Sequence, residues 1–340
     1  MNGLTIVALS ALLLGCESGS NVYSNGECVV ADADGKLTIV ISDRSECTAA
    51  RFHGVKLPVV KLPAAASHPS IFSSRIGSRN GPHITYLTAE GVLLCGIIRN
   101  GNFTENWRYV VPPYWLVRSA STAADGRTVA AILDDGENSQ VLLLGQDGVL
   151  ETFSTGADDM PEQIRLVSRP DQQPFVLVAQ NAGTVFAISI GSIKWRTQID
   201  DSTLWPRLLY GDGDYVIHGD TEFSKNGSTD VRVYVGGIEN DEYHTSWSVL
   251  TPAVTPQDGF LWQGDLVLHC LDKNRNSQIL RIDGDCELTP AQTRNISRYF
   301  VPRGWMACDL GGSGDSLFVL RKKENEIVFD LCQLQNSTDK

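Results

Sequence analysis

Short apolar or alternating runs recur along this chain, separated by turn signals, and helical periodicity is nearly absent. Seven runs align: 36–42 (KLTIVIS), 91–98 (GVLLCGII), 140–146 (QVLLLGQ), 183–190 (GTVFAISI), 230–237 (DVRVYVGG), 278–284 (QILRIDG) and 326–334 (EIVFDLCQL). Most are followed by a turn and a further strand, which carries an aromatic residue in Trp107, Phe153, Trp195 and Trp247. A third run then begins, often with tryptophan, as at Trp115, Trp205 and Trp305. A last turn leads into TVAAILD, DYVIHGD or SLFVLRK. Asn-Gly and Asp-Gly pairs punctuate the pattern, among them Asn100-Gly101, Asp147-Gly148 and Asp258-Gly259. Such pairs accept the positive φ that tight hairpins require.

A unit of four strands repeating every ~35–55 residues describes a propeller blade. The fold class expected is therefore all-β, a β-propeller of seven blades with four antiparallel strands each, within a range of six to eight. The expected organisation is a leader over 1–15, a tether over 16–21 and one propeller domain over 22–336. The tryptophans are expected to fill the layers between blades, with each indole N–H free to bond a turn carbonyl. The last unit lacks an outermost strand and the N-terminal segment has strands to spare. Pairing the two ends of the chain would close the ring and remove exposed edges.

The N-terminus changes the picture from a fold to a location. Leu4–Leu14 is an apolar run interrupted only by Thr5 and Ser10. Spanning a bilayer takes roughly 20 apolar residues, so this run suits a signal peptide instead. It ends in Leu13-Leu14-Gly15-Cys16, which resembles the bacterial lipobox, where the cysteine takes up lipid. Glu17-Ser18-Gly19-Ser20 then reads as a polar tether. The resemblance implies an exported lipoprotein modified by palmitate at Cys16, on the periplasmic or cell-surface side, with the outer membrane favoured. The other readings are an ordinary secretory signal with an incidental cysteine and a buried N-terminal helix.

Charge and cysteines follow from that location. The chain has 28 Lys+Arg against 40 Asp+Glu, a net charge of −12, and no basic stripe. Nucleic acid is thereby excluded as a partner, and anionic headgroups would repel it, so a lipid anchor is the expected membrane contact. Eight cysteines are present. An exported chain can oxidise them. Besides Cys16, six fall into close pairs, Cys28 with Cys47, Cys270 with Cys286 and Cys308 with Cys332, though six cysteines allow fifteen connectivities. Cys95, in an apolar run, is expected as a buried thiol.

Residues Gly183-Thr184-Val185-Phe186-Ala187-Ile188-Ser189-Ile190-Gly191-Ser192-Ile193-Lys194-Trp195 resemble the quinoprotein-type propeller repeat. That resemblance supports the propeller, and lipid-anchored propellers with such repeats include outer-membrane assembly factors, which act as scaffolds. The quinone enzymes of related fold use adjacent cysteines, which this sequence lacks, so no cofactor is expected.

Motifs for catalysis are missing: there is no zinc-like spacing, no nucleophile elbow and no phosphate loop. His218 and His269 hold matching strand positions and could turn toward the central channel as metal ligands; two ordinary strand histidines is the plainer reading. Asp32-Ala33-Asp34-Gly35 has only the start of a calcium loop and reads as a hairpin. The carboxylates of Asp134–Glu137, Asp158-Asp159 and Glu239–Glu242 read as solvated loops. The function expected is a non-enzymatic, lipid-anchored envelope scaffold binding envelope proteins, as a monomer or the subunit of a complex. The alternative is an enzyme or a binder of sugars or lactones, working at the central channel.

Overall fold

A computed structural model describes residues 21–22, 27–31, 37–42, 49–52, 54–63, 71–75, 83–123, 126–154, 161–167, 175–180, 184–190, 196–200, 207–212, 215–223, 229–251, 254–284, 296–313, 316–332 and 335–336. The N-terminal strands are β1 (Asn21–Val22), β2 (Glu27–Ala31), β3 (Leu37–Ser42), β4 (Ala49–Phe52), β5 (Val55–Leu57) and β6 (Val59–Leu62). Next come β7 (Ile71–Arg75), β8 (His83–Leu87), β9 (Val92–Arg99) and β10 (Asn102–Val110), then β11 (Leu116–Thr122), β12 (Thr128–Asp134), β13 (Ser139–Gly145) and β14 (Gly148–Ser154). The middle of the chain gives β15 (Pro161–Val167), β16 (Phe175–Gln180), β17 (Val185–Ser189), β18 (Arg196–Asp200), β19 (Arg207–Asp212), β20 (Tyr215–Phe223), β21 (Thr229–Glu239) and β22 (Glu242–Thr251). The last are β23 (Val254–Trp262), β24 (Asp265–Asp272), β25 (Ser277–Ile282), β26 (Ile296–Phe300), β27 (Met306–Ser313), β28 (Ser316–Lys323), β29 (Glu326–Leu331) and β30 (Gln335–Asn336).

These strands form seven sheets, the number expected. Blade I is β2-β3-β6, and blades II to VI are built on β7–β10, β11–β14, β15–β18, β19–β22 and β23–β26. Blade VII is β27-β28-β29, completed by β4 and β5 from the N-terminal region. The chain ends therefore do close the ring, but not by a fully antiparallel pattern. β4 lies parallel to β29, with Phe52 opposite Phe329, and β6 lies parallel to β3. The run 36–42 also differs from its six counterparts. It is the second strand of its sheet, whereas the other runs are third strands.

The inner strands of the blades are buried on both faces. On β12, Val129, Ala131 and Leu133 face blade II, while Ala130 and Ile132 face blade IV. On β16, Val176 and Val178 face blade III, and Phe175, Leu177 and Ala179 face blade V. Successive strand side chains point to opposite faces, so a strand covered on both sides must be apolar throughout. Apolar clusters of this kind fill every interblade layer, including the closure between blades VII and I. Among the described residues, Trp107, Trp115, Trp247 and Trp305 pack in the interblade layers as expected, and Trp195 and Trp205 fall outside the described residues. Trp107 fills the layer between blades II and III, and its Nε1 donates to the Gly126 carbonyl at 3.3 Å. A Cβ at Gly126 would strike the His83 ring, and the backbone there has φ 64°, so both space and conformation require glycine.

In blades II to VII the first strand carries a register shift against the second: between Ile71 and Ser73, Val117 and Ser119, Pro161 and Gln163, Leu208 and Tyr210, Pro256 and Asp258, and Ala307 and Asp309. Each is an extra residue at the start of a channel-lining strand, where the strands are most crowded. A bulge bends the strand and strengthens its twist. Asp258-Gly259, expected as a turn, belongs to this bulge region inside β23 instead.

Two expected bridges are not formed. Cys270 is a free, fully buried thiol on β24, held in the apolar layer, and Cys332 is also free. Burial pushes both thiols up, Cys332 to about 12, so neither is a ready nucleophile. Cys270 alternates with His269 and Leu271 along β24 and packs in the apolar cluster around blade VI. Cys95 is buried, as expected, and its Sγ donates to the Gly126 carbonyl at 3.3 Å. Cys28 and Cys308 lie on β2 and β27, and Cys16, Cys47 and Cys286 fall outside the described residues.

Phe52 tests the closure, since its ring lies 5.3 Å from that of Phe329 and it is buried. Phe52→Ala is expected to cost about 3–5 kcal/mol, read as a lower urea midpoint. An unchanged midpoint would show that β4 does not complete blade VII.

Candidate interaction surface

The two ends of the ring are chemically distinct. First strands run from the face carrying the blade-to-blade connections toward the face carrying the first hairpins. The connection face holds two copies of one turn. Val111-Pro112-Pro113-Tyr114-Trp115-Leu116 joins blade II to III, and Val301-Pro302-Arg303-Gly304-Trp305-Met306 joins VI to VII. In both, the tryptophan backbone N–H donates to a proline carbonyl, Trp115 to Pro112 at 3.2 Å and Trp305 to Pro302 at 2.9 Å. Both tryptophans pack against the interblade core, and Arg321 stacks over Trp305 at 4.9 Å.

The third position of the turn has positive φ in both copies, 72° at Tyr114 and 81° at Gly304. Glycine takes that conformation freely, while a bulky residue there costs about 1–2 kcal/mol. Tyr114 is nonetheless present, 93% exposed, with Val110 and Leu116 also exposed beside it in sequence. At the second turn Phe300 and Met306 are the exposed apolar residues. The sequence reading did not single out Tyr114. The signal was available in comparing VPPYWL with VPRGWM, where tyrosine stands in for glycine.

The central channel, the place of the alternative small-ligand site, holds a strand of the chain itself. β1 adds to the channel edge of β7, with Asn21 opposite Arg75 and Val22 opposite Ser74, and packs against β23 and β27 across the ring. The chain thus lays its own N-terminal strand in the channel. Asn21, expected as the end of the tether, is already part of this strand. His218 and His269 lie on second strands, away from it. His218 stacks on Tyr234 at 4.9 Å and meets the Tyr243 hydroxyl at 3.1 Å. His269 Nε2 is 3.2 Å from Ser277 Oγ, and burial pushes its imidazole down to about 4. Among the described residues no three His, Cys, Asp or Glu side chains converge as metal ligands.

Asp134, expected in a solvated loop, is 1% exposed and ion-paired with Arg118, the extra residue of the β11 bulge. Asp135 is exposed and caps its turn, accepting from the N–H groups of Asn138 and Glu137, which hold its carboxyl below the usual range. Glu239–Glu242 is a two-residue hairpin with Asn240 and Asp241 both at positive φ. Asp158-Asp159 and Asp32–Gly35 fall outside the described residues.

This arrangement of sheets, tryptophan layers and central channel defines a β-propeller. No protein-family model and no curated protein matches the chain. Solved structures do. Two structures of BBS1N in complex with ARL6DN are similar, one at 16% identity over 94% of this chain and 95% of that one, with TM-score 0.51. The other has 15% identity over 96% of each chain, with TM-score 0.50. The β-propeller domain of Myceliophteria thermophila Cps50 (Swd1) matches at 12% identity over 75% of this chain and 83% of that one, TM-score 0.45.

The His269 environment has a pH consequence. Its folded value lies below the ordinary 6.5, so its contribution is whole above pH 6.5 and is lost as pH falls toward 4. His269→Gln is expected to flatten the stability profile between those limits by up to about 1.4 kcal/mol per pH unit. Parallel profiles for the two proteins in thermal melts would contradict it.

Proposed function

We propose that this propeller is a lipid-anchored envelope scaffold that holds a protein partner on its connection face. The observation that carries the reading is Tyr114, a solvent-facing aromatic kept in a conformation that its counterpart turn gives to glycine. Strain of this kind persists where another use for the side chain offsets it, and exposed tyrosine is an effective anchor in interfaces. Apolar neighbours extend the surface, and the matched BBS1N structures, complexes with ARL6DN, are an instance of such a fold holding a protein.

The anchor fits this orientation. Asn21 follows Cys16 by five residues and pairs with Arg75, at the end of β7 nearest the first hairpins. Five residues reach at most about 18 Å. A lipid on Cys16 therefore keeps the hairpin face near the membrane and the connection face turned away. The exposed apolar residues Val149, Leu150 and Tyr215 lie on that hairpin face.

Tyr114→Gly separates binding from folding. The variant is expected to match or exceed the parent in stability, within about 1 kcal/mol, yet lose the partner that the parent recovers from solubilised membranes. Equal recovery by both proteins would exclude this face. Mass spectrometry of the mature N-terminus is expected to find a lipidated Cys16, and an unmodified cysteine or a later start would remove the anchor.

A further inference from the structure

On the connection face, beside the second turn, lies a cavity of about 170 Å³. It is bounded by Asp272 and Asn276 of the β24–β25 turn, Gln278 of β25, and Phe300, Val301 and Arg303 at the end of blade VI. That volume accommodates one amino-acid residue and is too small for a dinucleotide or a tetrapyrrole.

Its polar lining is unevenly satisfied. Asp272 is fully engaged: Oδ1 accepts from the N–H groups of Asn274 and Asn276, and Oδ2 from Asn276 Nδ2 at 2.9 Å. Gln278, by contrast, is 5% exposed and its Oε1 has no hydrogen-bond partner. A buried amide left unpaired is destabilising, so an occupant that bonds it offsets part of that cost. Arg303 is exposed and makes no ion pair or hydrogen bond among the described residues. Phe300, 61% exposed, continues the apolar wall out of the cavity, toward Met306 on the same face. The floor is preorganised. Ser277 accepts from Val301 N–H through its carbonyl and from Ala307 N–H through Oγ, both at 3.2 Å, so the cavity wall, the turn and blade VII are tied together.

We propose that this cavity is a binding site for the C-terminal residue of a partner polypeptide. The terminal carboxylate pairs with Arg303 and accepts from the Gln278 side-chain N–H, and an apolar side chain lies against Val301 and Phe300. A polypeptide is favoured over a free amino acid because the apolar surface continues past the cavity, where preceding residues can lie. The proposal rests on the scaffold reading, but its test is independent of Tyr114.

The probe is acetyl-Ala-Ala-Leu with a free C-terminus, compared with the same peptide as its C-terminal amide, by titration calorimetry or NMR of the intact protein. The free acid is expected to bind at least about tenfold more tightly than the amide, and Arg303→Gln to remove that preference. Gln278→Leu is expected to weaken the acid about tenfold while leaving thermal stability unchanged or raised, because it replaces an unpaired buried amide by an apolar group. A merely structural glutamine would lower stability instead. Tight binding of N-acetyl-leucine, equal to that of the peptide, would assign the site to a free small carboxylate and overturn the polypeptide assignment. Equal binding of acid and amide, indifference to Arg303→Gln, or no binding up to about 10 mM would overturn the site. Partner capture sensitive to Tyr114→Gly but not to Arg303→Gln would leave the scaffold standing without it.

Discussion

The inner strands of every sheet in this molecule are covered on both faces by a neighbour, and the rest of the structure follows from that constraint. A strand with two buried faces cannot alternate polar with apolar residues, which is why β12, β16 and β17 are apolar almost throughout. The inner strands of such a ring have no solvent-facing surface to spare, while outermost strands such as β10 and β22 are largely exposed. Large side chains such as Trp107 and Phe186 are needed to fill the widening wedge between blades away from the axis. Crowding near the axis is relieved by a bulge in each of six first strands, and at Arg118 the bulge residue also neutralises the buried Asp134.

The same constraint dictates where function can lie. With sheet faces occupied by packing, chemistry and recognition fall to the turns at the two ends of the ring. The channel is partly taken by β1, which leaves the turns of the two faces. The two related turns of the connection face divide the work between inward and outward residues. Trp115 and Trp305 point into the core and fix the turns, while Tyr114, Phe300 and Met306 are left to solvent.

Much of the architecture could be read in the chain because a two-faced strand writes itself as a continuous apolar run. Six third strands, the hairpin at Asn100-Gly101 and the seven-blade count were legible in that way. The parallel pairing of β4 with β29 was not, since parallel and antiparallel partners demand the same apolar residues. Asp258-Gly259 misled because a bulge and a turn ask for the same residue types. Cysteine spacing failed at Cys270 and Cys332, where proximity in sequence says nothing of which face of a strand a thiol occupies. The interaction surface was the least legible. Tyr114 matters through a backbone angle, Gln278 through a partner it lacks, and neither is a property of residue type.

Blade VII borrows its outer strands from the beginning of the chain, joining residues 49–52 to 326–329. Those segments meet only after every strand between them has been made. Until then β4 and β29 are both bare edges, open to pairing with other chains. Contacts of such sequence separation slow folding, so the interval before the ring closes is when this protein is most exposed to aggregation and most dependent on assistance.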